Sequence, residues 1–305
     1  MSPEYDVLVV GDYCLDLIFT GLPNLPQLGR EVFGSGFAMI PGGTYNNAVA
    51  MHRLGLKVAW AADFGNDDFS QFVETRALQE GLPESHFVHH SRALRNITAA
   101  LSFPEERAFV TYYDTPPSLP AAMKALPRVS ARTVYLPGVY HGPFLDAGLL
   151  LVRAKKMRMV MGGNFGDEVR LDMPSVRRAC QSADLFLPNA DEARRMTGIQ
   201  ELDQAIRRLA EVCPLVVVKD GANGAFACGR GEILHMPALR LQPVDTTGAG
   251  DCFDAGFVKA WLDELPLVEC LRWGNIVGGL STLALGGTGR FISSADVEQR
   301  LGSLG

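Results

Sequence analysis

A chain of 305 residues, 47% hydrophobic and 20% charged, is long enough to bury a full core, and it has no apolar run long enough to span a bilayer. Its formal net charge of −6 and the lack of any Lys/Arg run exclude a nucleic-acid-binding face, so any phosphate site has to be local. The six cysteines, Cys14, Cys180, Cys213, Cys228, Cys252 and Cys270, form no C-x-x-C pair. That argues against zinc-ribbon and thioredoxin-like sites and, with no basic leader at the N-terminus, predicts reduced thiols in a cytoplasmic protein.

Val7-Leu8-Val9-Val10 ends at Gly11-Asp12, the pattern of a strand buried on both faces. Ligands gather beyond the carboxyl ends of such strands, which puts Asp12 and Asp16 near a candidate site. Asp12 reads first as a turn or capping residue. Asp16, set among Leu15, Leu17 and Ile18, needs polar partners of the kind a polyhydroxylated ligand offers. Residues 17–40 mix glycines and prolines with Phe19, Val32, Phe33 and Phe37, which predicts short strands and turns standing off the main body. Gly42, Gly43, Asn46 and Asn47 then introduce a helix that runs to Gly55 and offer a polar, close-approach surface suited to sugar hydroxyls.

Val58-Ala59-Trp60-Ala61-Ala62 predicts the next strand, and the acidic cluster Asp63, Asp67 and Asp68 caps the helix over 69–80 rather than binding metal. Stretches 97–103 and 107–113 flank Pro104-Glu105-Glu106 and predict a hairpin, which joins the strands of 17–40 in one covering sheet. His86, His89 and His90 read as a solvated turn. Beyond Thr133 strands and helices alternate: strands at 133–137, 158–161, 184–187 and 215–218, helices near 144–156, 174–181 and 201–211. This predicts a mostly parallel sheet with helices on both faces. Lys219-Asp220-Gly221-Ala222-Asn223-Gly224 is a tight loop that reads either as a backbone approach to a nucleotide or as a plain hairpin turn.

The organising stretch is Val244-Asp245-Thr246-Thr247-Gly248-Ala249-Gly250-Asp251. Phe253, Phe257, Ala260 and Trp261 follow at helical spacing, so the small residues open a helix whose first amides and positive dipole end form an anion site. Asp251 there is either an acid favoured by the dipole or a general base facing a phosphoryl group. A last apolar helix, 272–285, contains Asn275 and stops at Gly286-Gly287-Thr288-Gly289.

Taken together these pieces resemble the ribokinase-like, or pfkB, carbohydrate kinase family over almost the whole chain. The likeness rests on residues 245–251, on Gly42-Gly43 with an asparagine, on Gly65-Asn66-Asp67-Asp68-Phe69, and on Asn189-Ala190-Asp191-Glu192 after Leu187-Pro188. It implies a single α/β domain over 1–305: three α/β/α layers around a mostly parallel sheet, with a small β-sheet lid from about 14–40 and 95–113. It implies an ATP-dependent kinase for a small sugar or nucleoside, with Asp251 as catalytic base and Gly248, Ala249 and Gly250 as the anion hole. Asp16, Gly42, Gly43, Asn46 and Asn47 would bind the acceptor. Asn189, Lys219, Gly221, Gly224 and Asn275 would bind the nucleotide, and Glu192 would serve Mg²⁺. Asp245 and the Thr247 carbonyl match a monovalent-cation (K⁺) site of many members.

Three departures stand out. Two residues, not the usual three, separate Gly43 from Asn46, so Asn46 aligns from the helix side and Asn47 from the glycine side. Thr44 replaces the lysine of ribokinase, and Gly162-Gly163-Asn164 lacks the aspartate common at that point in sugar kinases. Tyr13, Phe37, Tyr45 and Tyr112 are candidates to stack on a nucleobase or to pack as lid core. Arg30, Arg95 and Arg107 would have to meet in space to hold an already phosphorylated sugar. The lid is also a candidate homodimer surface. A non-catalytic sugar- or nucleotide-binding regulator shares this fold expectation. A dinucleotide-dependent oxidoreductase fits less well, because the third glycine of the run is displaced to Gly256.

Overall fold

The computed structural model describes residues 3–104, 107–114, 121–229 and 231–303, without the side chains of Arg107 and Phe144. In chain order its elements are β1 (Tyr5–Val10), β2 (Tyr13–Thr20), β3 (Gly36–Gly43), α1 (Thr44–Arg53), β4 (Val58–Phe64), α2 (Asp68–Gln79), β5 (Phe87–His89), β6 (Asn96–Ser102) and β7 (Arg107–Tyr113). There follow α3 (Ala121–Ala125), β8 (Ala131–Gly138), α4 (Pro143–Ala154), β9 (Arg158–Asn164), α5 (Pro174–Ser182), β10 (Leu185–Leu187), α6 (Ala190–Thr197) and α7 (Leu202–Ala210). The chain closes with β11 (Val216–Lys219), β12 (Ala225–Cys228), β13 (Leu234–Met236), α8 (Ala249–Leu262), α9 (Leu267–Ser281) and α10 (Ser294–Gly302).

Nine strands form one sheet in the order β13-β12-β11-β10-β9-β8-β1-β4-β5, parallel except where β11, β12 and β13 pair antiparallel. Alternation along the strands builds the layers. Val7, Val9, Val58 and Trp60 join a core with α1, α2, α8, α9 and α10, while Leu8, Val10, Ala59 and Ala61 join a second core with α3 to α7. Burial on both faces explains why these strands read as unbroken apolar runs rather than alternating ones.

The second sheet, β3-β2-β6-β7, is mixed: β2 pairs antiparallel with β3 and parallel with β6. The expected hairpin is the β6–β7 pair, joining Asn96 to Tyr113 at one end and Ser102 to Arg107 at the other. Residues 17–40 are not a run of short strands but parts of two eight-residue strands, β2 and β3, separated by residues 21–35.

Several boundaries differ from the sequence expectation. The apolar helix begins at Leu267, behind Pro266, and ends at Ser281. It is followed by α10, which Ser293 opens with a capping box to Asp296. The short helix α6 and the strands β5 and β13 were not expected, because three-residue strands and an eight-residue helix with few apolar positions carry little periodic signal. The histidines are not a solvated turn: His90 Nε2 lies 2.7 Å from Asp63 Oδ1, and His89 Nε2 lies 2.6 Å from Glu74 Oε1. Asp67 does cap α2, accepting from the amides of Phe69 and Ser70. Among the described residues, no helix is long and apolar enough to cross a membrane.

Candidate active site

Helix α8 carries the site, and its start is set by contact. Gly248 is left-handed at φ 72°, and a Cβ there would lie 2.7 Å from Asn46 Nδ2 and from Gly287 Cα. Only glycine meets both demands. Farther along, a Cβ on Gly256 would lie 2.7 Å from the Trp273 carbonyl and one on Gly274 would lie 2.8 Å from the Phe253 ring, so α8 and α9 cross at backbone range. Gly250 differs: a Cβ there would have Lys219 Nζ at 3.8 Å as its nearest neighbour. The protein leaves that space open, and what benefits is whatever occupies the cleft above.

Of the three amides expected to hold an anion, that of Ala249 donates to the Thr246 carbonyl at 3.2 Å. Among the described residues the amides of Gly250 and Asp251 have no backbone acceptor, as the first turn of a helix requires, and they lie at the positive end of the α8 dipole. The cleft facing them measures about 530 Å³ and is lined by Gly163, Asn189, Glu192, Lys219, Asp251 and Asn275, among others.

Asp251 is partly exposed at the floor of this cleft. Its Oδ2 accepts from Asn46 Nδ2 at 3.1 Å, across 205 residues of sequence. Burial pushes its carboxyl above the ordinary carboxylate range, opposed by the Asn46 hydrogen bond and the Lys219 charge. Asn46 is 2% exposed and its Oδ1 has no partner, an orphaned acceptor beside the acid. Asn47 turns elsewhere, donating to Tyr135 OH at 3.0 Å and to the Asp251 carbonyl at 3.3 Å. The ambiguity between the two asparagines thus resolves by helix phase, with Asn46 at the carboxylate and Asn47 behind it.

Asp16 lies on β2, where burial, with smaller contributions from the charges of Asp251 and Asp245, raises its carboxyl to about 6. Gly42 makes room for it, since a Cβ there would lie 2.8 Å from Asp16 Oδ2. Gly43, at φ 64°, precedes α1, and a Cβ there would lie 2.8 Å from the Cys14 amide nitrogen. The strand register sets Asp16 beside Thr98 and Thr98 beside Thr111 on one face, with Ile40 on the other flank. Thr98 Oγ1 lies 3.0 Å from Thr111 Oγ1 and 3.3 Å from Cys14 Sγ. This polar row was not expected, because it needs the register and not the sequence pattern.

Asn189 and Glu192 face the cleft as a capping box on α6: the Asn189 amide donates to Glu192 Oε2 at 2.7 Å and the Glu192 amide to Asn189 Oδ1 at 2.8 Å. Glu192 also lies over Gly163, where the commoner aspartate is missing. The 219–224 loop is a 3-10 turn over Gly221–Asn223, with Gly224 at φ 95° against the Met236 carbonyl. Asn275 donates to the carbonyls of Met236 and Pro237, tying α9 to the end of β13. Asp245 is buried and holds a loop: its Oδ1 accepts from the Thr247 amide and hydroxyl, its Oδ2 from the Gly286 amide.

The aromatic candidates leave the site. Tyr13 stacks on Phe64 and bonds Ser70 and the Leu94 carbonyl, and Tyr45 packs on Trp60, both in the core. Phe37 and Tyr112 lie on the face of the small sheet opposite Asp16, paired with Phe19 and Ile97. Arg95 pairs with Asp114 and lies over Tyr112, Arg30 is exposed, and the Arg107 side chain lies outside the described residues.

The profile described as pfkB family carbohydrate kinase matches residues 5–292. The chain belongs to that family. Among relatives of this pfkB kinase, a ribokinase of Haemophilus influenzae is 25% identical over 91% of this chain and 92% of its own length. A fructokinase of Escherichia coli is 28% identical over 83% of each. In fold it is similar to an Arabidopsis thaliana ribokinase solved with ribose and ATP, at TM-score 0.79 and 20% identity over 99% of both chains. A putative ribokinase of Agrobacterium tumefaciens gives TM-score 0.81 at 18% identity over 98% of both.

One buried acid beside the site went unread in the sequence. Asp254, 2% exposed, accepts from Lys219 Nζ at 2.8 Å and from Tyr135 OH at 2.8 Å. Its only sequence signal is a charge on the apolar stripe of α8, one turn past Asp251, where an unpaired acid has no place.

Proposed function

We propose that this pfkB kinase transfers the terminal phosphoryl group of ATP to a hydroxyl of a small, base-free sugar. Asp251 acts as general base, and the first-turn amides of α8, led by Gly250 and Asp251, hold the charge that develops in transfer. The observation that carries this reading is the position of Asp251: a cleft-facing carboxylate fixed by Asn46 beside two amides that have no backbone acceptor among the described residues. The raised carboxyl favours proton acceptance from a weakly acidic alcohol, since a stronger base is a better one while it remains ionised.

The ATP side is the cleft between the 219–224 loop and α9, where Asn189, Lys219, Gly221, Gly224 and Asn275 gather. The Arabidopsis ribokinase of the same fold was solved with ATP. Glu192 fits a divalent ion by donor chemistry: Mg²⁺ takes one or two carboxylates and fills its shell with water and phosphate oxygens. Such an ion would neutralise phosphate charge. The Asp245 carboxylate and the Thr247 carbonyl are oxygen donors of the kind a monovalent cation takes, and Asp245 also clamps its own loop.

The acceptor side is bounded by Asp16, Gly42, Gly43 and Asn46. The Asp16 carboxylate is an acceptor for hydroxyl donors, and the Thr98–Thr111 row adds hydroxyls that both give and receive. A sugar supplies such groups. A nucleobase would want an aromatic face, and the four aromatic candidates point into the core or lie on the opposite face.

The test is Asp251→Asn. It should lower kcat by about 10² to 10⁴ while ATP affinity by calorimetry and the melting temperature stay close to wild type. Wild-type turnover with a panel of sugars would remove the general-base reading.

A further inference from the structure

Asp254 has no part in the transfer just described, yet it is the most enclosed charge near the cleft. Four elements converge on it. Lys219 from the end of β11 donates to Oδ1 and Tyr135 from β8 donates to Oδ2, each at 2.8 Å. The Tyr135 hydroxyl accepts from Asn47 of α1, and the same Asn47 amide reaches the Asp251 carbonyl on α8.

Stability alone explains this poorly. Desolvating an ion pair costs about as much as its attraction returns, and apolar side chains of similar size commonly do as well or better. The cost falls on α8, in the turn after the proposed base. Lys219 is 16% exposed at its side chain, it lines the cleft, and its ammonium lies beside the open backbone of Gly250. An ammonium on a four-carbon stem is ordinarily mobile. Here one of its three donors is spent on a carboxylate that tyrosine holds from behind.

We infer that Lys219 is a positioning residue for phosphoryl transfer, a positive charge that Asp254 and Tyr135 hold against the first turn of α8 so that it acts through Asp251. This rests on the reading of Asp251 as general base. The charged and titratable groups around that acid are Lys219 from β11, Asn46-side Asp16 from β2, Glu192 from α6, Tyr135 from β8, and Asp254 with Cys252 on α8 itself. Lys219 is the one cation among them. Without it only the hydrogen bonds of Asn46 and Asn47 oppose burial and the charge of Glu192, so the ionisation of Asp251 moves to higher pH.

The experiment compares Lys219→Met, Lys219→Arg and the double variant Lys219→Met with Asp254→Leu. Lys219→Met should lower kcat by about 10- to 100-fold and move the acidic limb of the kcat profile upward by up to about one pH unit. Lys219→Arg keeps the charge and should return the limb to its wild-type position. The double variant removes the pair without leaving a buried unpaired acid, so it folds even where the single variant does not, and it should show the same loss of kcat. A double variant with wild-type kcat, or Lys219→Met with an unmoved limb whatever its kcat, overturns the inference. Either result, with Asp251→Asn inactive, leaves the general base standing, whereas an active Asp251→Asn removes the base itself.

Discussion

Replacing Gly248 by alanine separates a start of α8 set by contact from one set by helix propensity. The residue is held at φ 72°, ψ 3°, where a Cβ costs about 1–2 kcal/mol. The added methyl would lie 2.7 Å from Asn46 Nδ2 and Gly287 Cα, well inside the 3.4 Å at which ordinary contact begins. One neighbour is backbone, so strain of overpacking adds about 1–3 kcal/mol. Gly248→Ala should therefore destabilise by about 2–5 kcal/mol in urea unfolding. Because the atom displaced first is the amide that holds Asp251, kcat should fall by about 10²-fold in the protein that remains folded. Gly250→Ala is the control. Its Cβ would meet nothing closer than Lys219 Nζ at 3.8 Å, and alanine is the better helix former, so stability should hold or rise by up to about 1 kcal/mol. The methyl instead stands in the cleft, and catalysis should suffer through the phosphate side, read as a rise in KM for ATP and a fall in kcat by ADP release. Equal stability loss in the two variants, or wild-type melting of Gly248→Ala, would refute the contact argument.

Two further outcomes test the acceptor side. Asp16 is raised to about 6 against 3.8 free, so between those values the folded chain binds more protons than the unfolded one and its stability falls as pH rises. Asp16→Asn should then stabilise the ligand-free protein by about 1–3 kcal/mol in urea at pH 7 and by little at pH 4, while weakening acceptor binding. Replacing Thr98 by valine removes the middle hydroxyl of the row and should raise KM for a polyhydroxylated acceptor by about 5- to 30-fold, the worth of one or two hydrogen bonds. KM for ATP should not move, and an equal rise for both substrates would assign Thr98 to packing of the small sheet instead.

The strands of the main sheet, the glycine run before α8 and the acid within it were legible because each is a local matter. A β1 strand buried on both faces shows as an unbroken apolar run, and an anion-binding helix start shows as small residues before a 3.6-residue stripe. Elsewhere a local pattern had a second cause that locality does not reveal. Asn189 and Glu192 cap α6 by a hydrogen-bonded box and face the cleft as well, and the three histidines that read as a solvated turn are tied to Asp63, Glu74 and Tyr5.

What the sequence by itself determined is an α/β chain of alternating strands and helices with one glycine-bounded acid poised at a helix start. The tertiary structure alone decided which groups meet that acid. Asn46 and Asp251 are separated by 205 residues, Tyr135 and Asp254 by 119, and Lys219 and Asp254 by 35. They converge because parallel strands all end on the same edge of the sheet, and the order in which β8 and β11 enter it follows from packing of whole layers. Strand register likewise set Thr98 and Thr111 beside Asp16 and turned Phe37 and Tyr112 to the other face, since a shift of one residue reverses every side chain.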